Sequence, residues 1–213
     1  MARHPTGTTH ETTDERMLHR ALFFTDGVFA IVLTIMVLEL HPPPFDNPLG
    51  KVAAMRGMAG HLFAFALSFA VTGIFWLAHL NTVRRLIHFD WAATVANLVF
   101  LFPVCLIPFA TAWYGRSYDI PFSWGFYCSL MMLISLGNIG LVLVVSRDGG
   151  RLVGGATAAE VRFRLARAAI PGVAFLVGLG LVLAGQTYVS QACWMIIPPL
   201  GLLIGRTLKP KVA

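Results

Sequence analysis

The sequence contains little charge and few cysteines, and both shortages narrow the class of protein. Of its 213 residues, 12% are charged and 57% are hydrophobic, whereas a soluble domain has about 25% charged residues. Because a soluble protein of this length could not bury so large an apolar fraction, the composition predicts an integral membrane protein. Cys105, Cys128 and Cys193 lie in apolar segments without disulfide or metal-ligand spacing, and we interpret them as small buried hydrophobic residues.

Several functional signatures are also missing. Residues 1–15 lack the basic, apolar and small-residue regions of a signal peptide, and we predict a disordered cytoplasmic tail there. Neither a His-Glu-x-x-His metal motif nor a Gly-x-Ser-x-Gly nucleophile motif occurs. We therefore expect no enzyme activity, no metal site and no cofactor. The formal charge of +6 is spread over short loops between apolar runs, which indicates membrane topology and no nucleic acid partner.

Six apolar segments are long enough to cross a lipid bilayer, since a spanning helix needs about 20 residues. Four of them lie at about 18–40, 57–82, 91–114 and 121–145, and the last two share the uncharged run 168–205. The polar patch GQTYVSQ divides that run, and we expect a tight turn there. Prolines are expected to bend the third span at Pro103 and Pro108 and the last at Pro198 and Pro199. The sequence thus predicts an all-α membrane protein with one six-helix domain at 16–206 and a cytoplasmic basic tail at 207–213.

The basic residues predict the orientation of the chain. With a cytoplasmic N-terminus, only Lys51, Arg56 and Arg116 of the 16 basic residues lie outside, which satisfies the positive-inside rule. We therefore expect a multi-pass protein of the cell inner (plasma) membrane with both termini in the cytoplasm. The longest internal loop, at about 146–165, is basic, and its segment TAAEVRFRLARAA is expected to lead into span 5 as an amphipathic helix.

Span 1, which includes RALFFTDGVFAIVLTIMVLEL at 20–40, contains an intramembrane acid, Asp26. A carboxylate at the centre of a membrane helix costs about 2.5–3.5 kcal/mol. At 100° per residue, Asp26 points away from a stripe roughly 100° wide. That stripe is formed by Ile31, Thr34, Ile35 and Leu38. It either packs against another helix or lines a functional surface, and periodicity alone leaves both possibilities open.

The aspartate needs polar partners, because an intramembrane charge is otherwise too costly. Candidates at a similar membrane depth are Thr25, Trp76, His79 and Asn97. A simpler possibility is that Asp26 extends toward water from the helix end. A third hypothesis makes Asp26 and His79 a proton relay in a proton- or cation-coupled secondary transporter.

The first span resembles the first-helix signature of the transmembrane protein 175 family, which comprises endolysosomal potassium channels and shorter six-helix bacterial relatives. The family pattern Arg-x-x-x-Phe-Ser-Asp is matched by Arg20, Phe24, Thr25 and Asp26, with threonine in place of serine. A Val-Phe-Ala-Ile-x-x-Thr run follows at 28–34. The resemblance continues in FWLAHLNTVRRL and NLVFLFPVCLIPFATAWYG, so it covers about 20–115.

The resemblance implies a homotetramer in which four copies of span 1 surround a central pore. Ile31 would form a hydrophobic constriction, Thr34 a ring of hydroxyls and Leu38 a further apolar ring, with Ile35 at the margin. The Arg20, Phe24, Thr25 and Asp26 motif would then brace the helix away from the pore, together with the Trp76, His79 and Asn97 side chains.

Such a chain would be a channel permeable to potassium and other monovalent cations. It contains no TVGYG-like carbonyl filter, so the ion cannot be dehydrated by a backbone cage. A ring of isoleucines instead gates by width and dewetting. We accordingly expect modest selectivity for potassium over sodium. Glu39 could concentrate cations at the outer mouth, or could simply be an interfacial surface residue.

Overall fold

The computed structural model describes residues 13–40 and 51–208. Within these residues, six helical segments are long and apolar enough to cross a membrane, here called spans 1 to 6: Glu15–Glu39, Gly57–Val83, Trp91–Arg116, Pro121–Val145, Ala158–Leu183 and Thr187–Thr207. The predicted all-α class and span number are therefore confirmed. The predictions for residues 1–12, for the HPPP segment after span 1 and for the chain beyond 208 lie outside the described residues.

Three of the spans are interrupted helices. In chain order the α-helices are α1 (Thr13–Ile35), α2 (Lys51–Val83), α3 (Trp91–Val104), α4 (Ile107–Arg116), α5 (Pro121–Val145), α6 (Ala158–Leu183), α7 (Thr187–Ser190) and α8 (Ile197–Thr207). Span 1 ends in a 3-10 turn, and another 3-10 turn, Cys193–Ile196, separates the two helices of span 6. Since α1 begins at Thr13, residues 13–15 of the predicted tail are helical.

Proline determines where span 3 breaks. Pro103 lies inside α3, the chain leaves the helix after Val104, and Pro108 occupies the first turn of α4. A proline in a first turn sacrifices no helical hydrogen bond, because the N–H at that position has no intrahelical acceptor. Cys105 lies at this break and is exposed, so our interpretation of all three cysteines as buried is wrong for Cys105. Cys128 and Cys193 are buried.

The last span bends earlier than expected. We predicted the bend at Pro198 and Pro199, whereas the irregular turn lies just before them at Cys193–Ile196. The two prolines instead fall at the start of α8, where the helix tolerates them. The predicted tight turn between spans 5 and 6 is confirmed, since α6 ends at Leu183 and α7 begins at Thr187.

The core lies around span 4. Large side chains from spans 1, 2, 3 and 5 meet it there, and those less than 2% exposed include Phe29, Phe75, Phe100, Trp124, Tyr127 and Phe175. Trp124 stacks on Tyr127 with ring centroids 5.3 Å apart. Its indole N–H donates to the hydroxyl of Ser190, 2.6 Å away, and that hydroxyl donates to the Gly178 carbonyl. These bonds join spans 4, 5 and 6.

A second hydrogen-bonded junction joins spans 4 and 5 beside Pro171. The backbone of a regular helix would join the Gly172 N–H to the Ala168 carbonyl, four residues earlier. Beside Pro171, the Ser135 hydroxyl of span 4 contacts both groups, donating to the Ala168 carbonyl at 2.7 Å and accepting from the Gly172 N–H at 3.1 Å. A Cβ on Gly172 would lie 2.6 Å from the Ser135 oxygen, so this contact requires glycine.

The loops at the end of the bundle where span 1 begins pack as a separate small cluster. Leu18, Leu86, Phe89, Leu141 and Leu152 belong to its buried apolar side chains. Ile87 donates a backbone hydrogen bond to Leu152, joining the segment after span 2 to the loop between spans 4 and 5. We call this end of the bundle the arginine-rich end, because it includes Arg84, Arg85, Arg147, Arg151 and Arg164. The amphipathic entry expected for span 5 is helical from Ala158, where Thr157 and Glu160 form a capping box.

Candidate functional site

Asp26 of span 1 is held by a tryptophan from span 2. The Trp76 indole N–H donates to one carboxylate oxygen of Asp26 at 2.9 Å. Asp26 itself is exposed on the surface of the single chain. A charge-assisted hydrogen bond of this kind is stronger than a bond between neutral groups, and it connects the two spans.

Thr25, the neighbour of Asp26, begins a second and buried chain of hydrogen bonds. Its hydroxyl donates to the Ala21 carbonyl at 2.9 Å and accepts from the Asn97 amide at 2.8 Å. The amide oxygen of Asn97 lies 2.9 Å from Nε2 of His79. Because that oxygen can only accept, Nε2 of His79 carries the proton. The His79 ring also stacks on Phe100 at a centroid distance of 5.1 Å.

The structure thus brings the predicted polar residues together in two separate hydrogen-bonded groups. Asp26 contacts Trp76, whereas Thr25 contacts Asn97, which in turn contacts His79. Consecutive helical residues point about 100° apart, so Thr25 and Asp26 reach different neighbours. The sequence predicts a similar membrane depth for these five residues, but it cannot indicate which of them are hydrogen-bonded to each other.

Arg20 and Phe24, the other two members of the motif, lie on the outside of the single chain. Phe24 is 54% exposed, and Arg20 is also exposed. The adjacent Phe23 is 81% exposed, although nothing in our sequence analysis singled it out. An aromatic pair directed away from its own subunit is typical of a surface that another chain or lipid covers.

The stripe predicted by periodicity lies on one open face of span 1. Ile31 is 58% exposed, Ile35 42% and Leu38 70%, and Thr34 is exposed as well. The opposite face is buried in the core through Phe29, Val32 and Met36. The stripe therefore does not pack against a helix within the described part of this chain.

The Thr34 hydroxyl has a defined orientation. It lies 2.9 Å from the Ala30 carbonyl and 3.0 Å from the Ile31 carbonyl, and it donates to this pair. A hydroxyl has one proton and two acceptor lone pairs. With its proton directed at the helix backbone, the oxygen presents lone pairs toward the open face. Such a group can accept a hydrogen bond from water or contact a cation.

Glu39, at the end of span 1, forms an ion pair with Arg116 at the end of span 3. The Oε2 to Nη2 distance is 3.0 Å. Both side chains are partly exposed, so solvent weakens the pair. The ion pair balances the carboxylate charge, which favours the interfacial role over cation concentration.

Comparison with known proteins finds sequence similarity within the first half of the chain. Residues 20–108 match the sequence model of the family described as "Endosomal/lysosomal potassium channel TMEM175". A Streptomyces collinus protein named as a potassium channel is 35% identical over 89 residues, covering 42% of this chain and 43% of the relative. A Chryseobacterium protein also named as a potassium channel is 36% identical over 95 residues, covering 45% and 47%. The matched segment thus spans less than half the length of either relative.

The fold comparison extends to most of the chain. The crystal structure of a channel from Chamaesiphon minutus, described as a lysosomal potassium-selective channel TMEM175 homolog, superimposes with a TM-score of 0.75. The match has 22% sequence identity and covers 89% of this chain and 98% of the other. At this identity the likeness establishes the fold alone. Residues 20–108 are thus similar in sequence to the TMEM175 family, and the six-helix fold is similar to that of a TMEM175 homolog.

Proposed function

We propose that this protein is a potassium-permeable cation channel in which four copies of span 1 surround one pore. The observation that carries the proposal is the open face of span 1, where exposed apolar residues flank the Thr34 hydroxyl. The names of the Streptomyces and Chryseobacterium relatives, both potassium channels, support it. So does the shared fold of the Chamaesiphon channel.

In this arrangement Ile31 forms the narrowest, dewetting ring and acts as the gate. Thr34 lies one turn further toward the outer end, where its lone pairs replace part of the water around a passing cation. Leu38 forms a second apolar ring, and Ile35 borders the lining. Potassium is less strongly hydrated than sodium, so a weakly polar constriction favours potassium moderately.

The polar pairings then hold span 1 at the correct rotation. Trp76 fixes Asp26, and Asn97 fixes Thr25, so the opposite face remains available for the pore. Arg20 and Phe24 are exposed and would contact a neighbouring subunit in the homotetramer. The arginine-rich end faces the cytoplasm, with both termini, in the cell inner (plasma) membrane.

Bi-ionic reversal potentials of the purified protein in liposomes and planar bilayers test the proposal. With potassium on one side and sodium on the other, we expect unitary currents that reverse at a potential favouring potassium. Saturable flux without unitary currents would contradict the channel and favour the transporter hypothesis based on Asp26 and His79. Equal permeability of the two ions would contradict the selectivity while leaving the pore intact.

A further inference from the structure

Positive charge accumulates where spans 2 and 5 meet at the arginine-rich end. Arg84 and Arg85 directly follow span 2, and Arg164 lies in the second turn of α6. Both arginines lie within electrostatic range of the Arg164 guanidinium, as does Glu160. We call these four residues the arginine cluster. The cluster contains three guanidinium groups and one carboxylate.

Glu160 is already occupied by other partners. Its Oε1 lies 2.8 Å from Nη1 of Arg85. Its Oε2 accepts the backbone N–H of Thr157 at 3.0 Å as part of the capping box. Both carboxylate oxygens are therefore engaged, and neither forms a hydrogen bond with Arg164.

Arg164 has two guanidinium nitrogens, Nη1 and Nη2, that are shielded from solvent. Among the described residues, neither nitrogen has a hydrogen-bond partner. A guanidinium carries five N–H donors and remains charged at any physiological pH. Burying it without an acceptor is strongly unfavourable, so the site is incomplete as the single chain presents it.

Two other arginines of the same end show the usual arrangement. Arg147 and Arg151 both contact the carboxylate of Asp90, which also caps the N-terminus of α3. Their charge is compensated by a local acid. The arginine cluster differs because its three guanidinium groups share only one carboxylate, that of Glu160.

We propose that Arg164, Arg84 and Arg85 form a binding site for a phosphate group, carried by an anionic lipid headgroup or free in solution. The planar fork of an arginine binds two phosphate oxygens at once. The cluster lies at the end of two membrane spans, the depth at which basic residues meet lipid phosphates. Arg164 is only partly buried, and binding requires its guanidinium to turn toward a phosphate beside Arg84.

Native mass spectrometry of the full chain in neutral detergent tests this site without recording currents, so its outcome is independent of the proposed channel function. The probes are dioctanoyl phosphatidic acid, dioctanoyl phosphatidylcholine and inorganic phosphate. We expect phosphatidic acid to bind more tightly than phosphatidylcholine. If inorganic phosphate competes with phosphatidic acid, the site accepts the free anion. If inorganic phosphate does not compete, the site is assigned to lipid.

Arg164→Gln should weaken phosphatidic acid binding at least about tenfold, since a charge-assisted hydrogen bond is worth that much or more. The matched control is Arg162→Gln, which removes the same charge from an exposed position two residues away and should change binding by less than about twofold. If Arg164→Gln does not fold, Arg84→Gln, at an exposed position, should weaken binding severalfold.

Three results would overturn the site. If Arg162→Gln and Arg164→Gln weaken phosphatidic acid binding equally, the lipid is attracted by basic charge in general and not by a defined site. Indistinguishable binding of phosphatidic acid and phosphatidylcholine by the unmodified chain would show that the cluster holds no phosphate. An Arg164→Gln chain that binds phosphatidic acid normally but dissociates into monomers would assign Arg164 to a subunit contact instead.

Discussion

Span 1 and span 4 are equally apolar, yet they occupy opposite positions in the subunit. In span 1, 22% of the most apolar stretch is buried, against 50% in span 4. Span 4 is the centre around which the other helices pack, and span 1 lies at the edge with one face open. Hydrophobicity alone does not distinguish them, because lipid chains are as apolar as leucine and isoleucine side chains.

Span 6 is also largely exposed, but its exposed face differs from that of span 1. Only 17% of its apolar stretch is buried, and its exposed side chains include Met195, Leu202 and Leu203, which are apolar. The open face of span 1 includes the Thr34 hydroxyl, and the Asp26 and Thr25 hydrogen bonds fix its rotation. An exposed helix that is both rotationally fixed and partly polar is suited to line a water-filled path.

The largest effect is expected in span 4. Trp124→Ala removes a fully buried ring stacked on Tyr127 and the bond to Ser190, and it should lower the free energy of unfolding by about 3–5 kcal/mol. Unfolding in mixed micelles with increasing dodecyl sulfate measures this change. The control Phe23→Ala, at an 81% exposed position of span 1, should cost much less. If both variants lose a similar free energy of unfolding, span 4 is not more important for stability than span 1.

A smaller effect is expected where span 1 is attached to span 3. Asn97→Ala leaves the Thr25 hydroxyl and the buried His79 ring without their shared partner, and should cost about 1–3 kcal/mol. The same unfolding assay applies. Asn81→Ala is the matched control, because the Asn81 amide bonds only the Leu77 carbonyl of its own helix among the contacts described. If both variants are equally stable, the attachment of span 1 does not depend on Asn97.

The smallest effect on stability is expected at Thr34. Thr34→Ala changes an exposed side chain and should alter the free energy of unfolding by no more than about 0.5 kcal/mol. It should nevertheless lower the potassium-to-sodium permeability ratio, because the lone pairs facing the open surface are lost. Reversal potentials provide the measurement, and Thr34→Ser, which keeps the hydroxyl, should behave as the unmodified chain. A ratio unchanged by Thr34→Ala would exclude the hydroxyl ring as the selecting element.

The sequence predicted the number of spans, the residues of the stripe on span 1 and the polar side chains at the depth of Asp26, because these depend on composition and helical periodicity. It could not predict which side chains pair, because pairing depends on the rotation of each helix against its neighbours. The Ser135 hydroxyl beside Pro171 is a further example. Nothing near Ser135 in the sequence indicates that it bonds to the backbone of a helix 33 residues later.

The start of span 1 and the exposure of Cys105 differ from the predictions for local physical reasons. We began span 1 at about 18, where the apolar run starts, although helix geometry extends outward to Thr13. Cys105 was predicted to be buried because it lies in an apolar run, and the proline break exposes it. The role of the stripe as a pore lining and the homotetramer stay predictions.

The central claim is that the open face of span 1 lines the permeation path, and single-channel conductance of Ile31→Asn tests it most directly. The amide hydrates the constriction, so conductance or open probability should rise well above that of the unmodified chain. The control Leu202→Asn makes the same kind of change at a 65% exposed position of span 6 and should leave currents unchanged. Unaltered currents in Ile31→Asn, with the protein correctly assembled, would contradict the claim.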